Sequence, residues 1–301
     1  MHLRNIHKQG YDFSALCQTF PSLASFLRPS TKGKISIDFA DPKAVKYLNA
    51  ALLKHHYAVD FWDIPEAYLC PAVPGRADYI HHIADLLDCS INRTKDKTNI
   101  TGLDIGTGAN LIYPIIGAQV YGWKFIASDI EQGAFKSAKA IVKANSALNK
   151  RIRVKLQNDK SKVFEGIVGD TYFDFSMCNP PFHSCEQEAI AGNIRKLKGL
   201  KHNQNKRKDT KNRSLDKAPA LNFGGQSNEL WCKGGELGFV SNMIRESASF
   251  AKQVGWFTCL ISKRANLDPL TKLIDIQQAK EHKTVTMQQG NKTSRFIAWR
   301  Y

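Results

Sequence analysis

The run Tyr172-Phe-Asp-Phe-Ser-Met-Cys178, followed at once by Asn179-Pro180-Pro181-Phe182, constrains this chain more than any other stretch. An almost unbroken apolar and aromatic segment of that length reads as a buried parallel strand, and two successive prolines forbid both its continuation and an immediate helix. The strand therefore ends abruptly. At the carboxyl end of a sheet, where open α/β folds bind ligands, it leaves the amide of Asn179, the carbonyl of Pro180 and the ring of Phe182. Two acceptors and an aromatic face suit a planar amino group. The same tetrapeptide is also compatible with a plain strand-ending turn whose Phe182 packs in the core.

The upstream pattern adds to this reading. Asn99-Ile-Thr-Gly-Leu-Asp-Ile-Gly-Thr-Gly-Ala-Asn110 predicts a strand ending at Asp104, a turn through Gly106 and Gly108, and a helix from about Asn110. Leu111 stands where a pyrophosphate-binding Gly-x-Gly-x-x-Gly has its third glycine, which disfavours a nicotinamide or flavin dinucleotide. An acid directly before the turn repels a pyrophosphate but suits a cationic amino-acid group. The next strand, Trp123 to Asp129, ends in a second acid able to accept ribose hydroxyls. A third, Arg151 to Gln157, delivers Asn158 and Asp159 to the same rim; Asn158 there reads equally as an adenine contact or as an ordinary turn residue.

Cap logic places helices after Asp41-Pro42 and Asp268-Pro269, and periodicity places others at about 76–87, 133–148 and 236–254. Residues 11–27 read as two short helices broken by Pro21, Ile35 to Phe39 as a brief strand, and the segments 283–288 and 293–299 as a hairpin around Gly290-Asn291. The polar linker 92–98 suggests two parts: residues 1–90, mainly helical, and 91–301, with a basic insertion at about 190–235. Lys206, Arg207, Lys208, Lys211 and Arg213 lie in that insertion; as an aperiodic cationic run it is either a solvated loop or a phosphate-contacting arm. Leu221 to Gly235, glycine-rich with two aromatics, suits a loop folded over a site.

A chain of 301 residues, 43% hydrophobic, buries a full core, and its formal net charge of +16 favours a polyanionic partner, nucleic acid ahead of a membrane surface. No stretch has the length of a membrane span and the start lacks the apolar centre of a signal peptide, so a cytoplasmic protein is expected. Seven cysteines without a Cys-x-x-Cys pair encode neither a disulfide framework nor a zinc site, and His55-His56 face different ways, so no metal is expected.

Asp104-x-Gly106-x-Gly108, Asp129 and Asn179-Pro180-Pro181-Phe182, in that order, resemble the amino-methylating Rossmann-like methyltransferases. His2-Leu-Arg-Asn, Gly10-Tyr-Asp-Phe, Asp41-Pro-Lys-Ala-Val, Pro74-Gly-Arg76, Leu103 to Asn110 and Leu221 to Trp231 are similar, across essentially the whole chain, to the bacterial 23S ribosomal RNA adenine-N6 methyltransferase F family. Eukaryotic relatives of that family methylate adenosine in structured small nuclear and messenger RNAs. The resemblance implies an α/β class I fold, with a seven-stranded, mostly parallel sheet closed by a terminal hairpin, and S-adenosylmethionine as cofactor. It implies that Arg76, Asp104, Gly106, Gly108, Asp129, the region of Asn158, and Asn179 hold the cofactor, that Asn179 to Phe182 hold adenine, and that the basic N-terminal part grips RNA. The partner implied is 23S ribosomal RNA or a large-subunit assembly intermediate, methylated at adenine 1618. The residues alone leave open guanine N2, cytosine N4 or a protein glutamine as acceptor, or a non-catalytic RNA-binding assembly factor.

Overall fold

Alternating strand and helix signals from residue 99 onward demand a parallel sheet with helices on its faces, because each crossover must bury an apolar stripe against a strand surface. The computed structural model describes residues 1–30, 33–66, 68–88, 99–185, 187–188, 231–289 and 292–301. Lys206, Arg207, Lys208, Lys211, Arg213, the linker 92–98 and the turn Gly290-Asn291 lie outside the described residues.

The chain opens with a single-turn helix, Ile6–Gln9, and then α1 (Phe13–Thr19), whose cap is Asp12, accepting from the Ala15 amide at 3.0 Å. Pro21 ends α1 and starts a 3-10 turn, Pro21–Phe26. Strands β1 (Leu27–Pro29) and β2 (Ile35–Ile37) form an antiparallel ribbon. In α2 (Pro42–Tyr57) Asp41 caps the Lys43 amide at 2.9 Å with proline at the first helical position, while α3 runs Val73–Asp88.

The seven remaining strands share one sheet: β3 (Thr101–Ile105), β4 (Lys124–Asp129), β5 (Ile152–Leu156), β6 (Phe173–Cys178), β7 (Val254–Ile261), β8 (Glu281–Gln289) and β9 (Lys292–Arg300). Their order is β5-β4-β3-β6-β7-β9-β8. Strands β3 to β7 pair in parallel, and β9 is inserted antiparallel to both β7 and β8. The order reverses between β3 and β6, which opens a crevice at their carboxyl ends. Between the strands run α4 (Ile112–Tyr121), α5 (Gln132–Ala144), α6 (Ser146–Asn149), α7 (Gly235–Ser247) and α8 (Leu267–Ile276).

One apolar cluster joins Leu16, Leu48, Leu52 and Ile80 from the N-terminal helices to Phe125, Phe175, Trp256 and Phe296 of the sheet. The opposite face packs Leu103, Phe173, Phe257 and Trp299 against Val240, Met243 and Leu270 of α7 and α8. The first 88 residues thus share a core with the sheet. At Gly102 a Cβ would lie 2.5 Å from the Phe175 ring and 2.7 Å from that of Phe125, so this strand position admits only glycine.

Three helix expectations change. The helix expected over 236–254 ends at Ser247, a 3-10 turn follows at Ala248–Phe250, and β7 already begins at Val254. The helix expected over 133–148 breaks at Asn145, which turns extended (φ −121) because its side chain is engaged across the fold: Oδ1 accepts the Asp60 and Phe61 amides and Nδ2 donates to the Phe61 carbonyl. Asp268 is not a cap. Helix α8 begins one residue earlier, at Leu267, with Asp268 inside its first turn, where a carboxylate favours the helix dipole.

Candidate functional site

At the crevice between β3 and β6 lies a cavity of about 420 Å³, within the range of small-ligand pockets. Its β3–β4 rim is wired through the backbone. Gly106 and Gly108 take positive φ (69° and 65°), which bends the chain sharply enough for the Gly106 and Thr107 amides both to donate to the Ser128 carbonyl at 2.9 Å. The Gly108 amide donates to Asp129 Oδ2 at 2.8 Å, and Asp129 Oδ1 accepts the Glu131 amide at 2.9 Å. Leu111, in the place of the third glycine, adopts a left-handed conformation (φ 54), at a cost of roughly 1–2 kcal/mol offset by its complete burial.

Asp104 is 1% exposed, and neither carboxylate oxygen has a hydrogen-bond partner among the described residues. Burial pushes its pKa up to about 7; the nearby Thr107 hydroxyl offsets part of the rise without reaching hydrogen-bond geometry, and Asp129 adds to it. Burial also raises Asp129, against the opposing pull of the Glu131 and Gly108 amides. Glu131 behaves in the opposite way. Its burial would raise the pKa, but bonds from Tyr68 Oη (2.5 Å) and the Gly133 and Ala134 amides at the start of α5 hold it below the usual carboxylate range.

Arg76 reaches the cavity because α3 is fixed at both ends of its first two turns. Asn5 Nδ2 donates to the Pro74 carbonyl (2.9 Å) and to Asp78 (2.7 Å), and Tyr79 Oη lies 2.7 Å from Thr258 Oγ1, which donates to the Ser176 carbonyl. The Arg76 guanidinium stands 5.6 Å from the centre of the Tyr113 ring. Sequence reasoning saw Arg76 but not the anchoring role of Asn5.

On the facing rim β6 stops at Cys178, and Cys178, Asn179 and Pro181 line the cavity. Asn179 Oδ1 is buried without a partner among the described residues. Pro180 is buried and Phe182 half-buried, neither on the cavity wall. The segment is clamped to the start of α7: His183 and Trp231 form a parallel bridge, and the Cys232 amide donates to the His183 carbonyl at 3.0 Å. Glu188 ties it further, accepting the Ser184 amide (2.9 Å) and Lys263 Nζ (2.9 Å), which holds its pKa down at about 2.

Of the residues expected from the sequence, the cavity brings together Arg76, Gly106, Gly108, Asp129, Asn179 and Pro181. Asp104 lies just beneath, off the wall. Asn158 is exposed and off the wall, and Gln157 occupies the position instead. The cause is strand alternation: the Gln157 amide still pairs with the Asp129 carbonyl (2.8 Å), so its side chain turns inward, donating to the Glu165 carbonyl and accepting the Asp159 amide. The loop that follows brings Lys160 to Val163 to the rim, held by Glu246 of α7, which accepts the amides of Val163, Phe164 and Glu165. One group of possible metal ligands occurs among the described residues, His2, His82 and Asp85, away from this cavity; Asp85 there is already bonded to His2 and Arg4. No helix among the described residues is long and apolar enough to cross a membrane.

Comparison with known proteins places this geometry. A family model described as RNA methyltransferase matches residues 1–301. The ribosomal RNA large subunit methyltransferase F proteins of Desulfotalea psychrophila and Pseudoalteromonas atlantica are 52% and 50% identical to the chain, over all of it and over 94% and 92% of their own lengths. Among solved structures, the hMettl16 catalytic domain in complex with the MAT2A 3′UTR hairpin 1 superposes with a TM-score of 0.80 and 32% identity, covering 100% of this chain and 95% of the other. The N-terminal domain of human METTL16 in complex with SAH gives 0.73 and 29%, covering 100% and 98%.

Proposed function

The chain belongs to the RNA methyltransferase family, with S-adenosylmethionine as its cofactor, and from that premise we propose that it methylates N6 of one adenosine, adenine 1618, in 23S ribosomal RNA. The residues present fit the cofactor: a buried carboxylate without a partner at Asp104, an arginine over the same pocket, and at the end of β4 a second acid oriented by the Gly108 and Glu131 amides. Arg76 would hold the carboxylate of its amino-acid end, Asp104 would attract the ammonium, Gly106 and Gly108 would allow close approach, and Asp129 would take the ribose hydroxyls. When bound, the cofactor supplies an electrophilic methyl group on a sulfonium.

The observation that carries the acceptor assignment is Asn179 Oδ1, an unpaired acceptor at the end of β6 on the same cavity as the glycine turn. The exocyclic nitrogen of adenine is a poor nucleophile because its lone pair is delocalised into the ring. Asn179 and the Pro180 carbonyl, accepting its two N–H bonds, would favour a pyramidal nitrogen and point its lone pair at the methyl. No strong base is needed, since the methylated cationic nitrogen loses its proton to water or a weak acceptor. Phe182 would stack on the base, worth about 1–3 kcal/mol. The adenine must be unpaired or turned out of its helix to enter.

We read the basic N-terminal region and Lys206, Arg207, Lys208, Lys211 and Arg213 as phosphate contacts, and the acceptor as 23S ribosomal RNA or a large-subunit assembly intermediate. Tritiated methyl transfer to RNA lacking the mark, followed by nucleoside analysis, tests the whole reading. N6-methyladenosine is expected, and label on guanine, cytosine or protein would overturn it.

A further inference from the structure

The acceptor rim holds a second buried polar atom that the reaction as described does not use. Trp231 lines the cavity, and its indole N–H is buried with no partner among the described residues. Asn179 Oδ1, on the same cavity, is in the same state with the opposite polarity. The two side chains are brought to one rim by chain pairing. The His183–Trp231 bridge and the bond from the Cys232 amide to the His183 carbonyl lay residues 231–232 alongside the chain that continues from Asn179.

Leaving one donor and one acceptor desolvated on a single pocket is costly unless a ligand pairs both. An adenine amino group fits that demand, because its N–H donors are flanked by the ring acceptors N1 and N7. We propose that Trp231 is a positioning residue for the acceptor base: its indole N–H donates to the ring nitrogen beside the amino group whose proton Asn179 accepts. Two bonds of opposite polarity fix the base against rotation in its own plane, which a single amide contact and a stacking ring do not. This assignment rests on the adenine reading above.

The test is a Trp231→Phe variant, which keeps an aromatic ring and removes only the donor. Single-turnover kcat/KM is measured for it and for the parent on RNAs carrying adenosine, 7-deazaadenosine or 1-deazaadenosine at the methylated position, with S-adenosylhomocysteine binding by calorimetry alongside. On adenosine the variant is expected to lose roughly tenfold. On the one deaza RNA that lacks the bonded nitrogen, the parent falls to the same level and the variant loses nothing more, while cofactor-product binding is unchanged. An equal loss on all three RNAs, or weakened binding of S-adenosylhomocysteine, makes Trp231 a shape or cofactor-pocket residue and overturns the inference alone. No loss on adenosine overturns it as well. Parent enzyme that methylates a different base overturns the adenine reading, and this inference with it.

Discussion

The two rims of the cavity differ in how far hydrogen bonds tie them down. On the β3–β4 side the backbone and the outer acids are paired, through the Gly106, Thr107 and Gly108 amides, both oxygens of Asp129, and Glu131 with three donors, while the Asp104 carboxylate and the Thr107 and Tyr113 hydroxyls are buried without partners among the described residues. On the β6 side Asn179 Oδ1 and Trp231 Nε1 are buried without partners. On the proposed reading, the tied rim holds its shape for the cofactor, and the unpaired Asn179 and Trp231 of the other rim would spend their free energy on the transition state, where the gain accelerates chemistry rather than only binding.

The sharpest way to break that comparison is Asn179→Ala. Methyl transfer should fall by roughly two to four orders of magnitude in single-turnover assays, in line with loss of a group that positions and stabilises the reacting atom. S-adenosylhomocysteine binding should stay near the parent value by calorimetry. Turnover close to the parent would show that the β6 rim is not the reacting one. Asp129→Ala attacks the wired rim, removing the acceptor for two amides together with the proposed ribose contact. Cofactor affinity is expected to drop about tenfold to a hundredfold, with a lower melting temperature, while the rate at saturating cofactor changes less. A collapsed rate at unchanged affinity would exchange the roles of the two sides.

Much of this contrast was legible in the sequence, for definite reasons. Abrupt apolar runs ending in Asp104, Asp129 and Asn179-Pro-Pro fix where strands stop, and the parallel order then gathers those ends at one crevice. What escaped were positions decided by pairing across the fold. Gln157 rather than Asn158 turns inward because of its bond to Asp129, and Asn145 breaks a helix to hold residues 60–61. Glu131 and Glu246 show the limit most clearly. Both look like ordinary helix surface acids in sequence, yet one receives Tyr68, 63 residues away, and the other holds the loop at Val163, 83 residues away. An acid two residues past a strand end, before Gln-Gly, was the available signal for Glu131. None existed for Glu246.

A smaller effect asks whether the acceptor side extends past the pocket. Replacing Lys206, Arg207 and Lys208 with neutral residues should weaken RNA binding roughly tenfold at moderate salt. The slope of log K against log salt should flatten by about 0.7–0.9 per lost phosphate contact, without any change in S-adenosylhomocysteine affinity. An unchanged slope, read from filter binding over a salt series, would confine RNA contacts to other parts of the chain.

The least effect, and the finest test of the wired side, comes from an unpaired acid within it. Asp104 has its pKa raised by burial to about 7, so its neutral form is favoured in the folded, ligand-free protein. The sign follows from linkage: this group's contribution to stability is fully present below the ordinary carboxylate pKa and is lost as pH rises toward 7. A bound ammonium reverses the preference, because it stabilises the ionised carboxylate. Cofactor-product affinity should therefore rise severalfold between pH 6 and 8, with about tenfold as the ceiling for one proton over that interval, while thermal stability of the free protein falls over the approach to pH 7. Asp104→Asn should flatten both profiles and leave the free protein at least as stable as the parent at pH 8. If affinity instead declines with pH, or the asparagine variant keeps the parent's slope, Asp104 is a structural acid. The ligand's positive charge must then be met elsewhere on the rim, with Asp129 and Glu131 the wired acids on the cavity wall.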